Sequence, residues 1–349
     1  MVMAGGQGTR LWPASRKRNP KQFLKLFGRK TLIENTIDRI SKAIPQKRIF
    51  IITDASQTVR VRRIFPKIPA RQIVGEPCAR NTAATIGLGA LLIQKEVPAA
   101  VFAVFPADHV IMNIFEFKKC VSRAASWARV KGRHVLFGVQ PTYPATAYGY
   151  VERTTRPLSR GIYSVKRFIE KPNLRTASHF VRNNRYYWQA GIFVWRADTI
   201  LESLRKYLPK HDQILRHIVS RWKRNGTRFA LPNLFARLPK ISIDYGIMEK
   251  LKAISMVPAT FDWNDIGSWN ALRSVWRGDS AGNAAFGPIA ALDAKRNLSY
   301  SPRLVSFVGV HDLIVVDTDD ALLVASQDQA EKVKDLVAHL KKRKLHRYL

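Results

Sequence analysis

The first part of the chain alternates between short apolar runs and amphipathic stretches. After the apolar start of the chain, four further runs predict buried strands at 48–53, 72–75, 99–105 and 134–139. The stretches between them predict helices at 32–44, 55–65, 81–96 and 115–130. This alternation is typical of a parallel sheet that helices cover on both faces. Ligands bind where the carboxyl ends of such strands meet, so we expect functional residues in the loops that follow the strands.

After about residue 140 the alternation weakens. Strands are predicted at 148–152, 163–169 and 192–195, and helices at 198–207, 212–223 and 242–251. We interpret this part as a substrate-facing insertion within the same α/β unit. Short β-rich runs then predict a small all-β module, at 289–292, 304–310, 313–317 and 322–325. A final amphipathic helix is predicted at 328–340. The pattern divides the chain into a first domain, 1–278, and a second domain with a basic tail, 279–349.

A glycine-rich turn follows the first apolar run. Because glycine has no Cβ, the backbone can turn tightly there, and successive N–H groups can form an anion site. Two nearby basic residues, Arg10 and Lys21, supply positive charge suited to phosphate oxygens. The turn matches neither GxxxxGK[ST] nor GxGxxG, and a glycine turn in an ordinary loop is the alternative. The candidate nucleotide-binding residues are Ala4, Gly5, Gly6, Gly8, Thr9, Arg10 and Lys21.

A carboxylate, Asp108, follows the apolar strand 99–105 at the edge where ligands are expected. Mg²⁺ is held by one or two carboxylates together with phosphate oxygens. The alternative roles for Asp108 are capping the next helix and lying in a solvated turn. A second carboxylate is available in the stretch 261–269, which contains both Asp262 and Asp265.

Two more stretches place polar groups after predicted strands. The first supplies the carboxylate Glu76, followed by Asn81 and Thr82, although Asn81 also fits the role of a helix cap. The second reads Phe-Ile-Glu-Lys-Pro. Its Lys171 is a candidate phosphate-binding charge and its Glu170 a candidate acceptor for hydroxyl groups, while a surface ion pair is the alternative.

These motifs together resemble the sugar-1-phosphate nucleotidyltransferases, and most closely the short, monofunctional mannose-1-phosphate guanylyltransferases. The resemblance rests on the glycine turn with Leu-Trp-Pro-Ala-Ser-Arg at 11–16, Pro-Lys-Gln-Phe-Leu at 20–24, and the stretches 76–84, 168–172, 244–250 and 261–269. It implies a Rossmann-like, mostly parallel sheet of GT-A type, a small C-terminal module like a left-handed β-helix, and a terminal helix. The implied reaction joins GTP and mannose 1-phosphate with Mg²⁺ as cofactor.

The resemblance also assigns roles to individual residues. It implies that Arg10, Lys21 and Asp108 are catalytic and that Asp108 and Asp265, rather than Asp262, bind the metal. Guanine presents N–H donors, so the resemblance makes Glu76 a candidate acceptor, with Asn81 and Thr82 lining the site. The implied sugar-phosphate residues are Gly149, Glu170, Lys171 and Gln189.

The chain departs from the family pattern at three places. The family usually has several more residues before the glycine turn, so we expect the first strand to be truncated in the given sequence. Ala147 stands where the family usually has glycine. Gln189 stands where the family usually has an asparagine that faces the sugar. Since glutamine is one methylene longer, we expect Gln189 to loosen the discrimination between sugars.

Composition narrows the alternatives. The chain has 349 residues, 46% of them hydrophobic, which is enough for a large core and argues against disorder. The net charge of +34 makes a polyanion-binding protein an alternative, but the basic residues are scattered and no specific nucleic-acid motif stands out. Two further alternatives are a nucleotidyltransferase for another sugar 1-phosphate or nucleotide and a non-catalytic paralogue that binds a nucleotide sugar. We expect no membrane span, because no apolar run is long enough to cross a bilayer. We expect a cytoplasmic protein, because Cys78 and Cys120 form no disulfide or zinc motif and so fit a reducing cytosol. The family suggests a homodimer.

Overall fold

A nine-stranded mixed sheet organises the first of two compact units in the chain. The computed structural model describes residues 1–6, 8–222 and 232–349. The first unit comprises Met1–Gly5, Arg39–Ala107 and Ile111–Trp263, and the second comprises Gly6–Asp38, Asp108–Val110 and Asn264–Leu349. Residues 264–278 thus group with the C-terminal part, whereas the sequence interpretation assigned them to the first domain. The boundary between residues 278 and 279 stays a prediction.

The strands up to residue 264 are β1 Val2–Ala4, β2 Ile51–Asp54, β3 Ile73–Glu76, β4 Val101–Pro106, β5 Val110–Ile111, β6 His134–Val139, β7 Tyr150–Ser159, β8 Ile162–Ile169, β9 Tyr186–Arg196, β10 Ile254–Pro258 and β11 Trp263–Asn264. Nine of them form the large sheet in the order β3-β2-β1-β4-β9-β6-β10-β8-β7. The first four are parallel to one another, as the alternating pattern predicts. The chain therefore leaves β1, β2, β3 and β4 at one edge of the sheet.

The part after residue 140 completes this sheet and is not a separate insertion. β9 lies between β4 and β6 in the sheet and is antiparallel to both of them. β10 is parallel to β6 and antiparallel to β8. The prediction that this part belongs to the same α/β unit is confirmed. The sequence interpretation placed only a short strand at 192–195, which is the end of an eleven-residue strand that is buried along most of its length.

The helices are α1 Leu32–Ser41, α2 Thr58–Ile64, α3 Asn81–Glu96, α4 Ile114–Lys131, α5 Leu174–Val181, α6 Ala197–Tyr207, α7 Pro209–Ser220, α8 Pro232–Phe235, α9 Ile243–Gly246 and α10 Val333–Lys342. Helix α3 has the predicted bounds. The predicted helix 212–223 corresponds to α7, and its last residue, Lys223, lies outside the described residues. Among the described residues, no helix combines the length and the apolar character needed to cross a bilayer.

The predicted helix 242–251 is wrong over its second half. α9 ends at Gly246, and a separate 3₁₀ turn occupies Met248–Lys250. Between them Ile247 has φ −130° and ψ −56°, outside the helical region. Glycine favours such a break because it loses more conformational freedom in a helix than other residues do.

The C-terminal strands in the second unit stack as β12 Ala284–Phe286, β13 Ile289–Leu292, β14 Leu298–Tyr300, β15 Val305–Val308, β16 Leu313–Thr318 and β17 Ala321–Ser326. β12, β14 and β16 pair in parallel, and β13 pairs in parallel with β15. Two buried amides join successive turns, since Asn297 Nδ2 donates to Asn283 Oδ1 at 3.1 Å. Parallel rungs with stacked amides are typical of a β-helix, so the predicted β module is present.

Candidate functional site

The side chain of Lys21 joins two acidic residues that are far apart in the sequence. Its Nζ lies 2.7 Å from Asp108 Oδ2 and donates to the main-chain oxygen of Asp265 at 2.5 Å. All three residues belong to the second unit. Lys21 itself is only 8% exposed, so the ammonium is largely shielded from water. The structure thus brings together three of the residues that the sequence analysis singled out.

This ammonium also sets the ionisation of Asp108. Burial by itself would raise the pKa of the Asp108 carboxyl, but the positive charges of Lys21 and His109 and the hydrogen bond from Lys21 together hold it below its usual value. Asp108 is therefore an ionised carboxylate at neutral pH. An ionised carboxylate is the form that binds a divalent cation.

The glycine turn brings its backbone close to Lys21. Gly8 has φ +60°, and a Cβ built on it would lie 2.5 Å from Lys21 Cβ and 2.9 Å from Ser15 Oγ. Any other residue at this position would displace the lysine. Gly6 also has a positive φ, +99°, and its surroundings are open. Gln7 lies outside the described residues.

Arg10, the arginine that the resemblance implies is catalytic, forms an ion pair with an acidic residue outside the Lys21 cluster. Thr9 opens a 3₁₀ turn, Thr9–Leu11, and the Nε of Arg10 forms an ion pair of 2.8 Å with Glu331. Sequence reasoning missed Glu331, because nothing in its local pattern separates it from other exposed acidic residues. Arg10 is one-third exposed and its ion pair is at the surface, where such pairs contribute little stability. The guanidinium can therefore exchange this partner for a phosphate at small cost.

The donor atoms around Lys21 fit Mg²⁺ only in combination with a substrate. Among the described residues no group of three or more His, Cys, Asp or Glu side chains is arranged to hold a metal ion. The Asp108 carboxylate contacts Lys21 directly, whereas Asp265 contacts it through its main-chain oxygen, and Asp265 Oδ1 accepts from the N–H of Gly267 at 3.0 Å. Two carboxylates completed by phosphate oxygens match the way proteins bind Mg²⁺ with nucleotides. Asp108 and Asp265 stay the predicted ligands of the cation.

The candidate base-binding residues lie in the first unit, at the end of β3 and the start of α3. Glu76 is 8% exposed, and Thr85 Oγ1 donates to its Oε1 at 2.8 Å. Burial raises the pKa of Glu76 to about 7; the Thr85 hydrogen bond opposes this and the nearby Asp54 adds to it. The carboxyl of Glu76 therefore changes its charge within the physiological pH range.

Asn81 does not act as the N-cap that its sequence context suggested. The capping position is Arg80, and Asn81 is the first helical residue, with φ +67°. Its Oδ1 accepts from the N–H of Thr82 at 2.8 Å. Thr82 Oγ1 in turn accepts from the N–H of Ile243 at 2.9 Å, which ties the start of α3 to α9.

The four candidate sugar-phosphate residues form one cluster in the first unit. Lys171 Nζ lies 2.6 Å from Glu170 Oε1. A Cβ built on Gly149 would lie 2.5 Å from Glu170 Oε2, so any other residue there would displace this carboxylate. The main-chain oxygen of Gly149 accepts from the N–H of Gln189 at 2.8 Å. Residues that are up to 40 positions apart in the sequence thus meet around one glycine.

The side-chain amide of Gln189 has a hydrogen-bond donor, Nε2, without a partner among the described residues. Its Oε1 accepts from the N–H of Gly191, while its buried Nε2 has no partner among the described residues. Gln189 is 9% exposed. A buried donor without a partner costs free energy, and a hydroxyl oxygen of a ligand would satisfy it. Ala147, the other departure from the family pattern, is exposed.

Two acidic residues near this cluster had no assigned role. Glu249 Oε1 accepts from the N–H of Glu170 at 2.9 Å. Burial raises the pKa of Asp244 to about 7, with a further contribution from the negative charge of Glu170. The signal that could have found them was in the sequence, because both belong to the Asp-Tyr-Gly-Ile-Met-Glu-Lys motif.

Two protein-family models match the chain. The model described as Nucleotidyl transferase matches residues 1–281. The model described as MannoseP isomerase/GMP-like beta-helix domain matches residues 287–340.

Curated relatives and a solved structure match over almost the whole chain. The Xanthan biosynthesis protein XanB of Xanthomonas campestris pv. campestris is 36% identical over 343 residues, which cover 98% of this chain and 73% of the relative. The mannose-1-phosphate guanylyltransferase of Salmonella muenchen is 35% identical over 347 residues, again 98% of this chain and 73% of the relative. A crystal structure from Thermus thermophilus, described as mannose-1-phosphate geranyltransferase, superposes with a TM-score of 0.88 at 34% identity and covers 97% of this chain and 98% of that one.

Proposed function

The chain belongs to the nucleotidyl transferase family, and from that premise we propose that it transfers GMP from GTP to α-D-mannose 1-phosphate, giving GDP-mannose and pyrophosphate. The observation that carries this proposal is the Lys21–Asp108–Asp265 cluster on the glycine turn, in a chain 35% identical to a mannose-1-phosphate guanylyltransferase. The cluster supplies one buried cation, the carboxylate of Asp108 and a second acidic residue, Asp265, which contacts Lys21 through its main-chain oxygen. Cations and carboxylates are the groups that a triphosphate with a divalent metal requires.

The proposed reaction is a direct displacement. A phosphate oxygen of mannose 1-phosphate attacks the α-phosphorus of GTP in line, a new P–O bond forms, and the bond to pyrophosphate breaks. No covalent intermediate is needed, so the protein acts by positioning the substrates and by stabilising charge. Lys21 and Arg10 bind the triphosphate and the departing pyrophosphate. When bound at Asp108 and Asp265, Mg²⁺ neutralises phosphate charge.

The remaining candidates recognise the rest of the substrates. Glu76 accepts hydrogen bonds from guanine N–H groups, and Asn81 and Thr82 line the same site. Backbone N–H groups in the glycine turn bind phosphate oxygens, those of Ala4, Gly5, Gly6, Gly8 and Thr9. On the sugar side, Lys171 binds the phosphate of mannose 1-phosphate, and hydroxyl groups are bound by Glu170, by Gln189 and by the backbone at Gly149.

A pyrophosphate-release panel tests this function. GTP, ATP, UTP, CTP and dTTP are each combined with mannose, glucose and galactose 1-phosphate, with Mg²⁺ present, and the Asp108→Asn variant serves as the inactive control. We expect the highest kcat/KM for GTP with mannose 1-phosphate. A different preferred pair would reassign the substrates. No release with any pair, together with salt-sensitive binding to random DNA, would favour the polyanion-binding alternative.

The identity of the metal, the oligomeric state and the cellular location are also proposals. The family generally uses a divalent metal, and Mg²⁺ is our specific proposal, which activity with Mg²⁺, Mn²⁺ and Ca²⁺ compares. A homodimer is tested by the mass of the protein in solution. A cytoplasmic location is supported by the free thiols of Cys78 and Cys120, which suit a reducing compartment.

A further inference from the structure

The segment 243–249 is anchored at both ends on residues that the proposed function uses. At its start, the N–H of Ile243 donates to Thr82 Oγ1 at 2.9 Å. At its end, Glu249 Oε1 accepts from the N–H of Glu170 at 2.9 Å. All of these residues belong to the first unit. A seven-residue segment therefore connects the start of α3 with the turn that carries Lys171.

The turn at Lys171 has a conformation that the chain does not adopt readily. Lys171 has φ +48°, in the left-handed region that non-glycine residues rarely occupy. It also precedes Pro172, and a residue before proline is restricted towards extended conformations. Such a residue persists only where surrounding contacts hold it in place. Strained positions of this kind are common at functional sites.

Two hydrogen bonds hold this turn on its backbone side. The N–H of Lys171 donates to the main-chain oxygen of Tyr148 at 3.2 Å, and the N–H of Glu170 donates to Glu249 Oε1 at 2.9 Å. The second bond is the shorter one, and its acceptor is a carboxylate, so it is the stronger one. Of these two bonds it is the one made by a side chain, so a substitution can remove it.

We propose that Glu249 is a positioning residue for the sugar-phosphate site, where its carboxylate fixes the strained Glu170–Lys171 turn and so aims the Lys171 ammonium. This rests on the proposed function, because it is the phosphate of mannose 1-phosphate that Lys171 would bind. Glu249 acts as the acceptor for one N–H. A neutral side chain with an oxygen at the same position should therefore keep most of this bond.

Steady-state kinetics with three variants test the proposal. Glu249→Ala removes the acceptor, Glu249→Gln keeps a carbonyl oxygen of the same reach, and Lys250→Ala is a matched change at the adjacent exposed residue. For Glu249→Ala we expect the KM for mannose 1-phosphate to rise about tenfold, the size typical of losing one hydrogen bond to a charged acceptor. The KM for GTP stays unchanged. Glu249→Gln and Lys250→Ala stay within about twofold of the wild type in both values.

A measurement that needs no activity separates this inference from the proposed function. The wild type and the three variants are treated with pyridoxal 5′-phosphate and borohydride, and mass spectrometry follows the labelling rate of Lys171. We expect Glu249→Ala alone to label about threefold faster or more, because the ammonium leaves its ion pair with Glu170 when the turn relaxes.

Equal labelling of Lys171 in wild type and Glu249→Ala would overturn the inference, whatever the activity of the protein. An equal KM for mannose 1-phosphate in an active Glu249→Ala variant would also overturn it, and so would a failure of Glu249→Gln to restore both values. A wild type that shows no transfer from GTP to mannose 1-phosphate would overturn the proposed function only, since the labelling result would still stand.

Discussion

Replacing Glu76 by glutamine should stabilise the protein at alkaline pH and not at acidic pH. The pKa of Glu76 is raised from 4.5 to about 7, chiefly by burial. A carboxyl whose pKa rises on folding favours the folded state below its unfolded pKa, and this contribution is lost as the pH increases through the folded pKa. A rise of roughly 2.5 pKa units corresponds to a cost of about 3 kcal/mol for the ionised form above pH 7. Glutamine has no charge to bury and keeps an oxygen for the Thr85 hydroxyl.

The assay compares thermal and urea midpoints of wild type and Glu76→Gln at pH 5 and pH 8. We expect the variant to be more stable by about 1–3 kcal/mol at pH 8, and the difference to shrink towards zero at pH 5. Other titrating groups, including Asp244, cancel in the comparison. An equal difference at both pH values would refute the reasoning, because it would mean that Glu76 does not titrate between them.

The same substitution tests the proposed role in base recognition. If the ionised carboxylate accepts guanine N–H groups, the wild-type KM for GTP should fall as the pH rises through 7, whereas that of Glu76→Gln should not follow the same pH dependence. ITP lacks the N2 amino group and serves as the control nucleotide. A variant that keeps both the wild-type pH dependence and the wild-type preference for GTP over ITP would exclude Glu76 from the base site.

Four further substitutions address the other candidates. Asp108→Asn should lower kcat by roughly 100-fold or more, because it removes the charge of a proposed metal ligand, with circular dichroism as the check on folding; near-normal turnover in Mg²⁺ would exclude the ligand role. Lys21→Ala should mainly impair the use of GTP and Lys171→Ala should mainly raise the KM for mannose 1-phosphate; equal effects of both changes on both substrates would contradict this division. Gln189→Asn should shift the ratio of kcat/KM for mannose over glucose 1-phosphate towards mannose by up to about tenfold, the value of one hydrogen bond; an unchanged ratio would show that Gln189 does not contact the sugar.

Local patterns in the sequence were enough for most elements and for the identity of the candidate residues. The apolar run at 134–139 and the helix 81–96 have the predicted bounds, because a strand or helix with one dominant period is specified by its own residues. The capping box at Thr31 and Glu34 is also a local signal, and the structure contains both of its hydrogen bonds. The glycine turn was visible for the same reason, since a backbone approach as close as that at Gly8 excludes any side chain.

The tertiary structure decided which of these elements and residues meet. The place of β9 between β4 and β6 follows from strand pairing, and the apolar pattern of a strand reports that it is buried but not which strand lies beside it. Lys21 reaches Asp265 across 244 positions of sequence, and Glu249 reaches Glu170 across 79. Neither contact leaves a periodic signal, because each depends on one side chain and on the path of the whole chain between its partners. The sequence by itself therefore determined the elements and the chemical groups, and the packing of the sheet and of the β module determined which groups act together.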